Sequence, residues 1–419
     1  MSRSTPADEV PGVPARRAAL RLLDAVLRRG DPLDQAAPPV LRAIERGDDR
    51  ALALAITQES LRWLADLDAL IDGATKQALP DDAKVRSVLR LMLAQALRLN
   101  LPGHAIVATG LPLLVGGPRR LAHGVFSAVT KSGAKLPEAP TLPPAAAARW
   151  QVAWGDRVDA IAQGLTLPPP LDLTLRDPSQ TEAWAERLGG HSLAPGHVRL
   201  ARAGAIEALE GFNEGAWWVQ DLAASVPARL LGEGKGRRAL DLCAAPGGKT
   251  LQLAAAGWSV TALDKSARRT ERLAENLKRS GLSAEVIVAD ALQWTPDAPF
   301  DAILLDAPCS ATGTCRRHPD VLHRNANIAE LTALQSAMLE RAATWLAPGG
   351  TLVYAVCSLE PEEGEIQAVA FNALTPAPIT DAELPAGLTA TKGRFRSDPG
   401  MLADQGGIDG FFAARWTKG

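Results

Sequence analysis

The sequence predicts three parts in order: an all-helical bundle, a small α+β subdomain, and a C-terminal α/β domain on a parallel, doubly wound sheet. Three observations predict it. Apolar residues recur at helical spacing, with no strand alternation, over about the first 140 residues. Short β-rich runs alternate with helical patterns from about residue 213. Two cysteines, Cys309 and Cys357, each stand just past the end of one of those runs.

In the first part, residues 18–27, 49–67 and 84–97 carry the helical pattern, punctuated at Asp31-Pro32, Leu101-Pro102-Gly103 and Gly116-Gly117-Pro118. This bundle is assigned to residues 1–138. The Pro/Ala-rich run at 139–150 predicts a linker. Residues 151–212 predict the small subdomain, with strands at 171–176 and 197–200 and a helix at 180–188. In the last part, 213–419, strands are predicted at 238–243, 259–264, 284–289, 302–306 and 351–356, helices at 248–256, 267–280 and 328–346, and a closing strand at 410–416.

Composition excludes several classes. With 419 residues, 47% of them hydrophobic, the chain can bury sizeable cores. Four cysteines (Cys243, Cys309, Cys315, Cys357), unevenly spaced and without CxxC, predict reduced thiols with neither a disulfide framework nor a metal site. The N-terminal run shows no apolar targeting segment, and no stretch reaches the roughly 18 apolar residues of a membrane span, so a cytoplasmic location is expected. A net charge of -2 argues against coating nucleic acid by bulk charge, although paired arginines leave room for a local basic face. The expected state is a monomer.

Parallel sheets bind ligands outside the carboxyl ends of their strands. Cys309 in Asp306-Ala307-Pro308-Cys309-Ser310 and Cys357 in Val356-Cys357-Ser358 are therefore expected to face one site. Upstream, Asp241–Thr250 (DLCAAPGGKT) reads as a strand, a turn stiffened by Pro246, two glycines that admit a close ligand, and a helix start with unpaired N–H groups. It is neither GxGxxG nor the Walker spacing, which weakens dinucleotide and nucleoside-triphosphate readings. Asp264 is placed for ribose hydroxyls and Asp290 for an adenine amino group. Turn chemistry accounts for any one of these aspartates. The ordered set, with Asp306, suits S-adenosylmethionine, a ribonucleoside bearing a sulfonium.

These strings resemble the motifs of RNA cytosine-5 methyltransferases. The matching pieces are DLCAAPGGKT, DAPCS followed by Gly313 and Arg316-Arg317-His318-Pro319-Asp320, and Val356-Cys357-Ser358, with support from Gly211-Phe212, Gly215, Gln220-Asp221 and Gly410-Phe411-Phe412. The resemblance covers roughly residues 170–419. The helical region, through Leu101-Pro102-Gly103-His104-Ala105-Ile106-Val107 and Phe126-Ser127-Ala128-Val129, resembles the antitermination factor NusB. The combination is similar to the RsmB (Sun, Fmu) type.

The resemblance implies a NusB-like bundle and a class I, Rossmann-like methyltransferase domain. It implies S-adenosylmethionine as cofactor, bound by Cys243, Ala244, Ala245, Pro246, Gly247, Gly248, Lys249, Asp264, Asp290 and Asp306. It implies Cys357 as nucleophile toward cytosine C6, Cys309 as the residue that assists breakdown of the adduct, and Asp306 on the cytosine edge. The implied substrate is RNA, most of all small-subunit ribosomal RNA, with Arg316, Arg317, His318 and Arg176 as backbone contacts. From the residues alone, the two thiols are interchangeable in role. Cys243 and Cys315 read as packing residues, and Trp217 and Trp218 as core before base-stacking platforms. Three departures stand out: Val356 where threonine is usual, Ala311 for glycine, and Glu363-Gly364-Glu365 for Glu-Asn-Glu. Competing readings are a non-catalytic RNA-binding or assembly factor, a methyltransferase acting on tRNA, and an amino-methyltransferase, whose Asp/Asn-Pro-Pro loop this chain lacks.

Overall fold

The computed structural model describes residues 10–201 and 204–419, so most of the N-terminal run without an apolar segment lies outside the described residues. The chain forms two compact units. One holds the residues up to Val152 together with Arg317–Asn325, and the other holds Ala153–Arg316 with Ala326–Gly419. Among the described residues, no helix is long and apolar enough to cross a membrane.

The first unit is helical. Its main helices are Val13–Arg29, Gly47–Arg62, Lys84–Leu97 and Gly116–Lys131, around a core that includes Leu22, Leu23, Ile56, Leu89, Met92 and Phe126. The predicted helix at 49–67 is broken at Trp63, which leaves helical geometry (φ -107°, ψ 23°) to bury its indole. Arg90 grips Asp68 with two 2.8 Å bonds, an in-plane fork that fixes one helix against another. The excursion Arg317–Asn325 is held here too. Asp320 accepts from the Leu33 N–H at 3.2 Å, the Arg317 carbonyl accepts from Gln58 at 3.3 Å, and the His323 Nε2 lies 2.8 Å from the Leu61 carbonyl. The Pro/Ala-rich run departs from the expected linker: Asp66 accepts from the Thr141 backbone and hydroxyl, and residues Pro144–Trp154 coil into a helix. Alanine's helix propensity wins once proline sits at the helix start.

The second unit carries two sheets. The smaller has β1 (Leu171–Leu175), β2 (His197–Leu200) and β3 (Trp217–Val219), in the order β2-β1-β3 and antiparallel throughout. Its third strand comes from beyond residue 212. The larger has β4 (Arg238–Leu242), β5 (Ser259–Asp264), β6 (Glu285–Val288), β7 (Phe300–Asp306), β8 (Leu346–Val356), β9 (Thr375–Pro376), β10 (Ala390–Thr391), β11 (Arg394–Ser397) and β12 (Phe411–Thr417). Its order is β10-β11-β12-β8-β7-β4-β5-β6, with β9 beside β12. The run β8-β7-β4-β5-β6 is parallel and β12 is antiparallel to β8. Alternate residues feed the two faces: Leu240, Leu242, Ile303, Leu305 and Tyr354 pack on one, Ala239, Leu304, Val353 and Ala355 on the other. Both faces are covered, as a parallel sheet requires.

Two glycines of the supporting motif are demanded by space. Gly215 has φ +62°, and a Cβ there would lie 2.1 Å from the Arg279 carbonyl oxygen; at Gly211 (φ +85°) it would meet the Trp184 ring at 2.5 Å. Gly215→Ala combines a left-handed alanine with a backbone clash. It is expected to cost about 2–4 kcal/mol, read as a lower urea midpoint at unchanged slope. A midpoint equal to wild type would refute this account of the turn.

Candidate active site

The central strands β4, β5 and β7 end in a common row of carboxylates. Asp241 is the next-to-last residue of β4, Asp264 ends β5 and Asp306 ends β7, while Asp290 stands two residues past β6. These strands are neighbours in the sheet in the order β7-β4-β5-β6, so the aspartates form a row running Asp306, Asp241, Asp264, Asp290. Asp264 is buried and fixes the loop after β4: one oxygen accepts from the Ala245 N–H at 3.1 Å, the other from the Ser266 N–H at 2.9 Å. Asp290 is exposed and caps its own turn through the Leu292 N–H at 2.9 Å.

Asp241 is fully buried. One of its oxygens accepts from the Thr250 hydroxyl at 2.6 Å; the other has no partner within the protein. Burial pushes its carboxyl up to about 7, the Thr250 hydrogen bond opposes this, and the charges of Asp306 and Asp264 add to it. Between them runs the loop Cys243–Gly247, with Cys243 at φ +62° and Gly247 at φ +110°, leading into helix Gly248–Ala255. Burial, then the charges of Asp306, Asp264 and Asp241, pushes the Cys243 thiol up to about 12, so it favours its protonated form.

Lys249, in the first turn of that helix, reaches across to Asp306 at 2.7 Å and lies 5.1 Å from the Phe411 ring. Burial alone would lower its ammonium. The charge and hydrogen bond of Asp306, with smaller contributions from Cys357 and Asp241, outweigh burial and hold it above its ordinary value. Lys249 is thus a fixed cation whose field reaches Cys357.

The two thiols meet. β7 and β8 are adjacent and parallel, with Asp306 opposite Ala355, and the loops leaving them bring the Cys309 and Cys357 sulfurs to 3.5 Å. Both are free thiols, half-buried. The hydrogen bond to Cys357, then burial, then the charges of Cys357 and Glu363 push the Cys309 thiol well above its ordinary value. Cys309 is therefore pushed toward its protonated form, in a thiol–thiol contact in which either sulfur can donate.

Sequence reasoning missed what holds these loops together. The serine after each cysteine bonds to one carboxylate, Glu363, which is fully buried. Its Oε2 accepts from the Ser310 hydroxyl at 2.5 Å and the Ser358 hydroxyl at 2.6 Å; its Oε1 accepts from the Ser310 N–H at 2.9 Å and Gln335 Nε2 at 3.0 Å. Its backbone carbonyl accepts from the Tyr354 hydroxyl at 2.6 Å. A second clamp is glycine on glycine. Gly313 donates to the Cys357 carbonyl at 3.0 Å and accepts from Gly410 at 2.8 Å, and a Cβ on Gly313 would lie 1.9 Å from the Gly410 oxygen. The only sequence signal for either was the recurrence of Ser after Cys and of Gly in the flanking motifs.

The expected RNA contacts are not gathered. Arg316 is buried, bonds to the Gly406 carbonyl and lies 3.7 Å from Asp409, so it is an internal residue and not a presented one. Arg317 and His318 are counted with the helical unit and Arg316 with the other. Arg176 is exposed and donates to the Ser280 carbonyl at 2.9 Å. Trp217 and Trp218 are core residues, their indole N–H groups given to Glu210 and Gln220. Cys315 is buried.

A family model described as 16S rRNA methyltransferase RsmB/F matches residues 228–417, and the NusB family model matches 13–113. Ribosomal RNA small subunit methyltransferase B of Klebsiella pneumoniae is 36% identical over 96% of this chain and 98% of its own. The chain belongs to the RsmB/F family of 16S rRNA methyltransferases. The Escherichia coli O157:H7 protein of the same name is 34% identical over the same shares. The solved structure of PH0851 matches with a TM-score of 0.74 over 98% of this chain and 99% of that one, at 22% identity, a likeness of fold. A methyltransferase homologue from Pyrococcus horikoshii matches with a TM-score of 0.54 at 26% identity, over 70% of this chain and 98% of that one.

This RsmB/F chain accommodates its departures. Ala311 takes φ +59°, the left-handed region that explains the usual glycine. Gly364 is the reverse case: a Cβ there would lie 2.9 Å from Arg396 Nη2 and 3.0 Å from the Phe412 ring. Val356 is fully buried in the core, where a hydroxyl is dispensable.

Two outcomes follow. Glu363→Gln keeps side-chain volume but removes an acceptor shared by two serines. Misplacing the thiols should cut the single-turnover methyl-transfer rate about 10²-fold. RNA affinity should hold within about threefold, since no step of substrate binding is touched. Wild-type turnover in this variant would show the carboxylate to be dispensable. Second, Asp241 binds a proton on folding, since its carboxyl titrates at 3.8 when exposed and at about 7 in the folded protein. Its contribution to stability is full at low pH and is lost as pH rises from about 4 to about 7. In cofactor-free melts Asp241→Asn should remove this decline, so the variant gains on wild type across that window; parallel curves would exclude it.

Proposed function

We propose that this enzyme methylates C5 of a cytosine in small-subunit ribosomal RNA, with S-adenosylmethionine as methyl donor, through a transient bond between Cys357 and cytosine C6. The observation that carries the reading is the pair of sulfurs 3.5 Å apart at the carboxyl ends of adjacent parallel strands, beside the Lys249–Asp306 pair.

The donor's chemistry fits the residues present. The row Asp241, Asp264, Asp290 and Asp306 offers carboxylates for a cationic nucleoside, and the unpartnered buried oxygen of Asp241 marks a polar position left for something other than protein. The glycines of the Cys243–Lys249 loop leave the backbone open to close approach. When bound, S-adenosylmethionine supplies the electrophilic methyl that C5 takes up.

The chain's own residues do the rest. Cytosine C5 is a poor nucleophile, and a thiolate bonded to C6 makes it enamine-like. Cys357 is assigned that attack on the family resemblance of Val356-Cys357-Ser358 and because Cys309 is the thiol pushed toward its protonated form. Asp306, fixed by Lys249, faces the cytosine N3/N4 edge. After methylation, the C5 proton must leave and the C6–sulfur bond must break, returning the electron pair to Cys357. Cys309 takes up the C5 proton, which it can do only as the thiolate, after its own proton has passed to solvent. The target base must be unpaired or flipped out for C6 to be reached, at a cost of a few kcal/mol.

With labelled methyl donor and in vitro transcribed small-subunit RNA, Cys357→Ala should abolish transfer. Cys309→Ala should accumulate a protein–RNA adduct that survives a denaturing gel. Full activity in the Cys357 variant would refute the covalent route.

A further inference from the structure

On the far side of the small sheet's strand β1 from its core lies a second place with unmet polar groups. Leu173 and Leu175 point into the hydrophobic cluster with Trp184, Val198 and Trp217. Strand alternation therefore turns Asp172, Thr174 and Arg176 to the other face. Asp172 is consumed there: Arg199 holds both its oxygens at 2.7 and 2.8 Å, and the Leu222 N–H adds a 3.0 Å bond. Thr174 is 4% exposed, yet its hydroxyl has no hydrogen-bond partner. A buried hydroxyl without a partner is costly in a folded protein.

Thr174 lines a pocket of about 220 Å³ with Arg176, Gly196, Arg229 and Gln252. No Asp or Glu lines it. Arg229, at the end of helix Leu222–Arg229, is half-buried and bonds only to neutral oxygens, Ser225 Oγ at 3.1 Å and the Pro195 carbonyl at 2.7 Å. Burial lowers its guanidinium from the ordinary value, with no carboxylate to offset the cost. Arg176 bonds to a neutral carbonyl; the neighbouring Asp177 carboxylate is turned to Ser179 and Gln180. Two guanidinium groups and a free hydroxyl around an acid-free pocket match the donors that bind a phosphate.

We propose that Thr174, Arg176 and Arg229 form a phosphate-binding pocket, and that its ligand is a backbone phosphate of the RNA substrate. The choice of source rests on the function proposed above. A phosphate contact fixes register on the RNA without reading a base. It would anchor the substrate through the small sheet and leave the target base to the thiol site.

The test measures binding of in vitro transcribed small-subunit RNA without methyl donor, so it does not depend on the chemistry. Thr174→Val, Arg176→Gln and Arg229→Gln should each weaken binding about five- to tenfold. The two arginine variants should also flatten the plot of log affinity against log salt, by about 0.7–0.9 of a unit for a phosphate no longer neutralised, whereas Thr174→Val should leave that slope unchanged. Thr174→Val carries a second signature: it should raise the Tm of the free protein, since it deletes an unpartnered hydroxyl, while weakening RNA binding. If Arg229→Gln fails to fold, the other two variants decide. In a parallel arm, inorganic phosphate should raise the Tm of wild type and not of the variants. Phosphate stabilisation with unchanged RNA affinity would overturn the RNA source and leave the pocket to free phosphate. Variants indistinguishable from wild type in both arms would overturn the site.

Discussion

One buried carboxylate sets the geometry on which the chemistry depends. Glu363 gathers four donors, two of them hydroxyls from the serines that follow the two cysteines. A fully buried carboxylate is tolerable only when its lone pairs are filled, and here they are. Cys309 and Cys357 are 48 residues apart in the chain. Each sits in a loop, the part of a fold with the greatest freedom to drift. Parallel pairing of β7 and β8 brings the loop starts together, but pairing ends at Asp306 and Ala355. Beyond that point the serine–glutamate bridge and the Gly313–Gly410 contact keep the sulfurs in register. Polar bonds suit this task better than apolar packing, because they fix direction as well as distance.

The charges around the thiols divide their labour. Two sulfurs at 3.5 Å cannot both be anions at low cost. The bond to Cys357, burial and the negative field of Glu363 push Cys309 toward its protonated form, while Lys249 interacts with Cys357 through its charge. Asp306 holds Lys249 in an ion pair at 2.7 Å. Asp241, deeper in the same row, relieves the crowding of carboxylates by holding a proton up to about pH 7. The acid-rich row and its single buried lysine are one electrostatic unit.

Much of this was legible in the sequence. The strands that end at Leu242, Asp264 and Asp306 are short, β-rich runs bounded by turn residues, and their boundaries match the sequence within a few positions. The convergence of both thiols followed from the rule for strand ends. The buried tryptophans followed from side-chain volume. What escaped depends on partners far away in the chain. β3 is three residues long and β11 four, too short to show a period, and each exists because a neighbouring strand needs an edge partner. Arg316 looked like a surface cation because its partners, Gly406 and Asp409, lie some ninety residues downstream. The helix from Pro144 was hidden by composition, since prolines and alanines describe a linker and a capped helix equally well. Glu363 was read as one letter of a departing motif, because nothing local to it announces that two serines will bond to it.

The departures from the family pattern show which constraints are chemical and which are steric. Ala311 keeps the backbone conformation that glycine ordinarily supplies, at a cost of about 1–2 kcal/mol for a left-handed residue with a Cβ. The conformation persists because the next residues are fixed on both sides: Ser310 by Glu363, and Gly313 by the Cys357 carbonyl. Gly364 leaves room for Arg396, whose Nη2 a Cβ there would meet at 2.9 Å. Arg396 donates to the Ser358 carbonyl and holds Glu365 in a fork, a guanidinium clamp on the residue beside Cys357. Substitution is thus tolerated in the pieces that shape the loops, provided a neighbour takes over the hold. The two sulfurs and the Lys249–Asp306 pair, to which the proposed reaction assigns its chemistry, carry none of these departures.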